Sequence, residues 1–182
     1  MRRIILLLFG VAGLGLLGFF SLAGGSYAPE KVQDLSSYSV ATFAGGCFWC
    51  VEADFEKLPG VVEAVSGYAG GEEENPSYKD VASGRTDHVE TVQIYYDSEE
   101  VSYSELLDYF WRHIDPTDDG GQFVDRGKQY RSMIFVHDAE QRRLATKSRE
   151  QLAESGPFEE PIVTEIVDFK NFYRAEDYHQ DF

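Results

Sequence analysis

The chain has 182 residues and a formal net charge of -16, with a sequence pI of about 4.5. That length suits one domain plus an N-terminal extension, and the acidity excludes nucleic acid, whose binding needs clustered Lys and Arg to displace counterions. Aromatic residues make up 14% of the chain, with 11 Tyr and 13 Phe, a composition that a disordered chain does not have.

Met1-Arg2-Arg3 precedes an unbroken apolar run from Ile4 to Ala23. Two positive charges followed by a long hydrophobic stretch read as an export signal or a membrane anchor. Ser21-Leu22-Ala23 puts small residues where a signal peptidase cuts, whereas about 20 apolar residues also suffice to span a bilayer. No cysteine lies nearby, so a lipid-modified cysteine at the cleavage point is excluded. In either case residues 1–23 are the targeting segment and the remainder is expected outside the cytoplasm, in the periplasm or cell envelope, secreted or anchored. Residues 24–37, with Gly24-Gly25-Ser26 and Pro29-Glu30-Lys31, read as a linker, and a single domain runs over 38–182.

Within that domain, Ser39 to Ala44 reads as a strand leading through Gly45-Gly46 into a helix over 47–58, which Pro59-Gly60 ends. Val61 to Tyr68 is a second strand, 70–76 a loop, and Tyr78 to Val81 a short helical turn. Val89 to Tyr96 alternates with period two and is the clearest strand. A helix over 104–111 is expected with Ser104 as its cap, then a polar loop from Asp115 to Lys128. A strand over 130–136, a helix over 139–154, a last strand over 163–167 and an irregular aromatic tail over 169–182 complete the pattern. This order predicts an α/β (α+β) fold: a ferredoxin-like two-layer sandwich, its mixed sheet covered by helices, with long irregular loops and a C-terminal tail. The loops 70–87 and 115–129 are long enough to be functional.

The only two cysteines lie in Gly46-Cys47-Phe48-Trp49-Cys50, at the start of the first helix. A helix N-terminus favours a thiolate at Cys47 through its unpaired N–H groups and its dipole. A bridge between residues three apart closes too small a loop to stabilise the fold much, so the pair suits a disulfide that opens and closes. Glu90 shares a strand face with Val92 and Ile94, and a carboxyl on an apolar face is expected to have a raised pKa. Four scattered histidines with no His/Cys cluster argue against a metal, so His88 and His179 are read as structural or hydrogen-bonding residues.

Gly46-Cys47-Phe48-Trp49 after a strand, Asn75-Pro76-Ser77-Tyr78, His88-Val89-Glu90, Gly127-Lys128-Gln129-Tyr130-Arg131-Ser132 and Ala175-Glu176-Asp177-Tyr178-His179-Gln180 together resemble peptide methionine sulfoxide reductases of the A type over residues 39–182. The resemblance implies that Cys47 attacks the sulfoxide sulfur, that Glu90 protonates the oxygen, and that Tyr78 and Tyr130 hydrogen-bond it. Phe48 and Trp49 are then the cradle of the substrate S-methyl group, and Asp125 lines the pocket. The preferred substrate is the S epimer, free or in proteins, and no cofactor is bound. Many family members resolve the Cys47 sulfenic acid with cysteines near the C-terminus; this chain has none there, which leaves Cys50 as the resolving residue. A thioredoxin-like protein, or dithiothreitol in its place, is the implied electron donor to a monomeric enzyme, with membrane contact only through residues 4–23.

The same Cys-x-x-Cys also fits a general thiol–disulfide oxidoreductase. Pro116 and Pro161 are poor candidates for the cis-proline of a thioredoxin fold, and that reading leaves Glu90, Tyr78 and Tyr130 unused. A surface binding module anchored by residues 4–23 leaves both cysteines idle.

Overall fold

The computed structural model describes residues 34–182. The apolar run 4–23 and most of the linker therefore lie outside the described residues. In chain order the elements are β1 (Ser39–Gly45), α1 (Phe48–Phe55), β2 (Val61–Ala69), α2 (Tyr78–Ala82), β3 (Val89–Tyr96), α3 (Tyr103–His113), β4 (Gly121–Gln122), β5 (Asp125–Arg126), β6 (Ser132–Val136), α4 (Ala139–Ser155), β7 (Glu165–Asp168) and β8 (Tyr173–Arg174).

Six strands form one sheet in the order β7-β6-β1-β3-β2-β8. Its four central strands pair antiparallel, β1 lying between β3 and β6 and β3 between β1 and β2, which is the split βαβ arrangement expected from the sequence. β7 runs parallel to β6 because α4 supplies the long crossover that a parallel neighbour needs, and this makes the sheet mixed. One face packs on the helices. There Phe43 of β1 stacks between Phe55 of α1 at 5.5 Å and Phe110 of α3 at 4.8 Å. The indole N–H of Trp111 donates to Ser148 Oγ at 2.8 Å and ties α3 to α4. On the other face Ala44, Ala69, Val89, Met133 and Phe135 are covered by Val167, Phe169 and Phe172.

Four local expectations are corrected. Helix α3 is capped by Ser102 rather than Ser104: the Ser102 hydroxyl accepts from the Glu105 N–H, while the Glu105 carboxylate accepts from the Ser102 N–H at 2.8 Å. This reciprocal box is worth about 1 kcal/mol, and it starts the helix where Tyr103 can be buried. The segment expected as a strand from 130 begins instead with a 3-10 turn, Lys128–Tyr130, and the loop before it holds the β4–β5 hairpin. The strand predicted at 163–167 is the edge strand β7 and sits slightly later, at Glu165–Asp168. The tail is less irregular than expected. Its residues Tyr173–Arg174 pair with Tyr68 and Gly67 of β2, and Gly67 is needed there because a Cβ would stand 2.3 Å from the Phe172 ring and 2.5 Å from the Tyr173 carbonyl oxygen.

Candidate active site

β1 turns into α1 through Gly46, whose φ of +96° lies in the left-handed region and whose missing Cβ makes room for Gln122. The turn leaves Cys47 as the N-cap of α1, with φ -58° and ψ 119°. Its carbonyl oxygen accepts from the Cys50 N–H at 3.1 Å and the Val51 N–H at 3.3 Å, so the first turn is wound tightly around it. Both thiols are free, Cys47 half-buried and Cys50 exposed.

The first helical N–H, that of Phe48, does not serve the sulfur. It donates to Glu90 Oε2 at 3.0 Å. Glu90 stands on the helix-bearing face of β3 and is only 2% exposed. Burial raises its pKa to about 7 despite the Phe48 hydrogen bond, and nearby Asp125 pushes in the same upward direction. The raised carboxyl pKa expected from the sequence is therefore present. The thiolate is not: burial first, then the Glu90 carboxylate, push the Cys47 thiol up to about 11, outweighing the Trp49 and Cys50 N–H groups that pull it down. Near neutral pH Cys47 therefore rests as a thiol, because burial first and the carboxylate at the same helix end second outweigh the helix N-terminus.

Tyr78 opens α2, which Ser77 caps through the Asp80 N–H. Tyr130 ends the 3-10 turn that follows Gly127, itself at φ 131°. Burial raises the pKa of both phenols, that of Tyr130 to about 12, and for both the next cause is the Glu90 charge. Asp125 and Cys47 also act on both tyrosines. Cys47, Glu90, Tyr78, Tyr130 and Asp125 thus form one electrostatic neighbourhood, assembled from α1, β3, α2, the 3-10 turn and β5. At working pH both phenols keep their protons and can donate.

Phe48 is 1% exposed and backs the site, its ring 6.4 Å from Tyr78 and 5.9 Å from Tyr68. Trp49 is half-buried and stacks on Phe182 at 3.9 Å. The tail is held here by Glu176, which accepts from the Tyr78 N–H at 3.0 Å and the Tyr68 hydroxyl at 2.9 Å. His179 is packed among Phe48, Trp49, Tyr78 and Tyr178, and neither ring nitrogen has a hydrogen-bond partner among the described residues. His88 hydrogen-bonds as expected, accepting at Nδ1 from the Gly71 N–H at 3.2 Å and donating from Nε2 to the Glu73 carbonyl at 2.8 Å. A separate cavity of about 300 Å³, lined in part by Arg131, Met133, Phe135 and Lys170, opens on the opposite face of the sheet and holds neither thiol.

Glu52 is a buried ionisable residue of α1 that sequence reasoning missed, although its helical spacing from Phe48 and Phe55 would have placed it on the buried face of the helix. It is 1% exposed, accepts from the Ser66 N–H at 3.2 Å, and its other oxygen has no partner among the described residues. Burial raises its pKa to about 7, against the Ser66 bonds and with the help of Glu56 and Asp181. A carboxyl whose folded pKa lies above its unfolded value stabilises fully below the unfolded value, and that stability is lost as pH rises through about 7. Glu52→Gln, which keeps the acceptor for Ser66, is therefore expected to melt with wild type at about pH 4 and roughly 2–5 °C above it at about pH 8. Thermal melts across this range check the expectation; identical melting curves at both ends would contradict it.

A family model described as peptide methionine sulfoxide reductase matches residues 39–182. Peptide methionine sulfoxide reductase MsrA of Ligilactobacillus salivarius is 56% identical over 146 residues, covering 80% of this chain and 85% of the relative. MsrA of Bacillus subtilis is 53% identical over 143 residues, covering 79% and 81%. The MsrA/MsrB protein of Vibrio cholerae is 54% identical over 155 residues, or 85% of this chain, but the match spans only 41% of that longer relative. Among solved structures, Mxr1 of Saccharomyces cerevisiae in reduced form is similar with a TM-score of 0.74 and 36% identity, covering 80% of this chain and 84% of Mxr1. The same protein in complex with Trx2 is similar with a TM-score of 0.59 and 26% identity, covering 82% and 90%.

Proposed function

The chain belongs to the peptide methionine sulfoxide reductase family, A type, and reduces methionine sulfoxide to methionine; we propose that Cys47 removes the oxygen and that Cys50 restores Cys47. The observation that carries this reading is the buried Glu90 carboxyl, with a pKa of about 7, bonded to the first N–H of the helix that Cys47 caps. A sulfoxide oxygen bound there meets a proton donor in Glu90 and two more donors in Tyr78 and Tyr130.

Cys47 sulfur attacks the sulfoxide sulfur as Glu90 gives its proton to the oxygen. The thiol proton of Cys47 then replaces it on the Glu90 carboxylate. In the resting site this transfer runs uphill, since the thiol holds its proton more tightly than the carboxyl does. Nucleophile activation is therefore tied to protonation of the substrate. The substrate S–O bond and the sulfur–sulfur bond made by the attack both break as an S–O bond forms at Cys47, and that oxygen keeps the proton from Glu90 that the thiol proton has replaced. Methionine leaves and Cys47 is a sulfenic acid.

Cys50 thiol then displaces the hydroxyl as water and forms the Cys47–Cys50 disulfide. Residues at this helical spacing have Cβ atoms about 5–6 Å apart, and a disulfide needs about 3.5–4.5 Å. Cys47 is already outside helical geometry, so a shift of the N-cap by about 1–2 Å closes the gap without unwinding the helix. A dithiol donor returns two electrons and two protons by exchange through the exposed Cys50. The solved complex of Mxr1 with Trx2 supports a thioredoxin-like donor here. The apolar run 4–23 behind Arg2-Arg3 supports a site of action outside the cytoplasm, where that donor would have to be supplied. The S epimer, in proteins and as the free amino acid, is the proposed substrate.

The test is reduction of a methionine sulfoxide peptide by the reduced protein with dithiothreitol. Wild type is expected to turn over and Cys47→Ser to have no activity above background. Undiminished turnover in Cys47→Ser would remove the nucleophile from this reading.

A further inference from the structure

The β4–β5 hairpin, whose Gln122 lies against the Gly46 turn before Cys47, holds two apolar side chains out to solvent. Phe123 is 67% exposed and Val124 88%, and the two form the turn between the paired residues Gln122 and Asp125. Phe123 has φ +51°, the left-handed region in which two-residue hairpins take Gly, Asn or Asp. A bulky aromatic is disfavoured in that backbone conformation, and an exposed one gains no burial to offset it. Among the described residues Phe123 belongs to neither hydrophobic cluster.

The hairpin itself is firmly seated. Gln122 is buried, accepting from the Asp115 N–H and donating to the Asp115 carbonyl, each at 2.8 Å. The Gly127 N–H donates to the Gly120 carbonyl at 2.9 Å, and Arg126 pairs with Asp118. On its inner side Gln122 lies so close to Gly46 that a Cβ there would stand 2.7 Å from the Gln122 Cβ. The tip is thus fixed through one strand to the turn that carries Cys47 and continues in the other into Asp125. Two further exposed aromatics, Tyr178 and Phe182, join the same site through His179 and Trp49.

We infer that the Phe123–Val124 tip is a specificity element that takes the apolar side chains flanking a methionine sulfoxide in an extended, unfolded polypeptide. The inference rests on the reading of the Cys47 site as the place of sulfoxide reduction. A peptide whose sulfur reaches Cys47 keeps its three neighbours on either side within about 10 Å along the chain, so they must meet the rim of the site. The tip is apolar, and its two strands lead to the Gly46 turn and into Asp125. The segments that carry normally buried methionines are themselves apolar, and they offer such flanks only when unfolded. A net charge of -16 also turns away strongly acidic segments.

The experiment compares three substrates with dithiothreitol as the only donor: a capped pentapeptide with Leu and Phe around a central methionine sulfoxide, one with Ser and Gly, and N-acetyl methionine sulfoxide. Wild type is expected to prefer the apolar peptide. Phe123→Ser with Val124→Ser is expected to lower kcat/KM for that peptide about ten-fold, mainly through KM, and to change the N-acetyl substrate by less than about two-fold. Phe123→Asn, which suits the left-handed backbone, should show a smaller loss in the same direction at an unchanged or higher melting temperature. Equal losses on all three substrates would make the tip a support of the site and overturn the inference. So would the absence of any loss on the apolar peptide, or a loss that accompanies a change of oligomeric state. Wild type inactive on every sulfoxide would sink the reading of the site itself, whereas an active wild type blind to the flanks would sink only the tip.

Discussion

Cys50→Ser is expected to reduce methionine sulfoxide at close to the wild-type rate with dithiothreitol, and to stop after one turnover per enzyme with thioredoxin. The two donors differ in reach. Dithiothreitol is small enough to attack the half-buried sulfenic acid of Cys47 directly. A protein dithiol needs an accessible disulfide sulfur, and the exposed Cys50 supplies it once the bridge has formed. No other cysteine exists in the chain to substitute. The expected fall in thioredoxin-driven steady-state rate is at least about a hundred-fold, the scale of losing a positioned intramolecular partner. Full thioredoxin-driven turnover in Cys50→Ser would show that the sulfenic acid is reduced directly, and the proposed bridge would lose its role.

Glu90→Gln is expected to lower kcat/KM about 10²- to 10⁴-fold, the usual contribution of a positioned general acid. The amide preserves size and can still accept from the Phe48 N–H, so the loss isolates proton transfer. The pH dependence gives the sign. Glu90 acts as its protonated form, so wild-type kcat/KM is expected to fall as pH rises through about 7, and that limb should be absent in Glu90→Gln. The variant is not expected to be less stable. Because the folded pKa of Glu90 is raised, the wild type loses stability as pH rises through about 7, and the neutral amide does not. Retention of the alkaline limb in Glu90→Gln would assign it to another group.

The sheet was legible because its strands alternate or run apolar between glycines, and because the order of strands and helices admits few topologies. What escaped were features set by contacts distant in sequence. Tyr173–Arg174 has no strand pattern of its own; it pairs because Gly67 lets the tail lie against β2. The α3 cap moved to Ser102 because Glu105 completes a reciprocal box that Ser104 cannot make. At the site, Cys47 was visible from the glycine turn and the paired thiols, and Glu90 from its place on an apolar strand face. Tyr78, Tyr130 and Asp125 stood out only through the family motifs, since nothing local separates them from the other tyrosines and aspartates. The protonation of Cys47 was misjudged because it depends first on burial in the packed site and then on Glu90, 43 positions away in the chain, whose carboxylate takes the Phe48 N–H and opposes a second negative charge. Glu52 and the Phe123 tip went unread for a related reason: burial of one and exposure of the other are properties of the packed sheet rather than of their neighbours in sequence.

The unequal roles of the two thiols are tested most directly by the intact mass of fully reduced enzyme after methionine sulfoxide is added with no donor present. Wild type should form one methionine per enzyme and become lighter by two hydrogen atoms, the mass of a Cys47–Cys50 disulfide. Cys50→Ser should also form one methionine but become heavier by one oxygen atom, held at Cys47, and Cys47→Ser should do neither. A wild-type enzyme that gains oxygen and keeps it, or a Cys47→Ser protein that still releases methionine, would contradict the account.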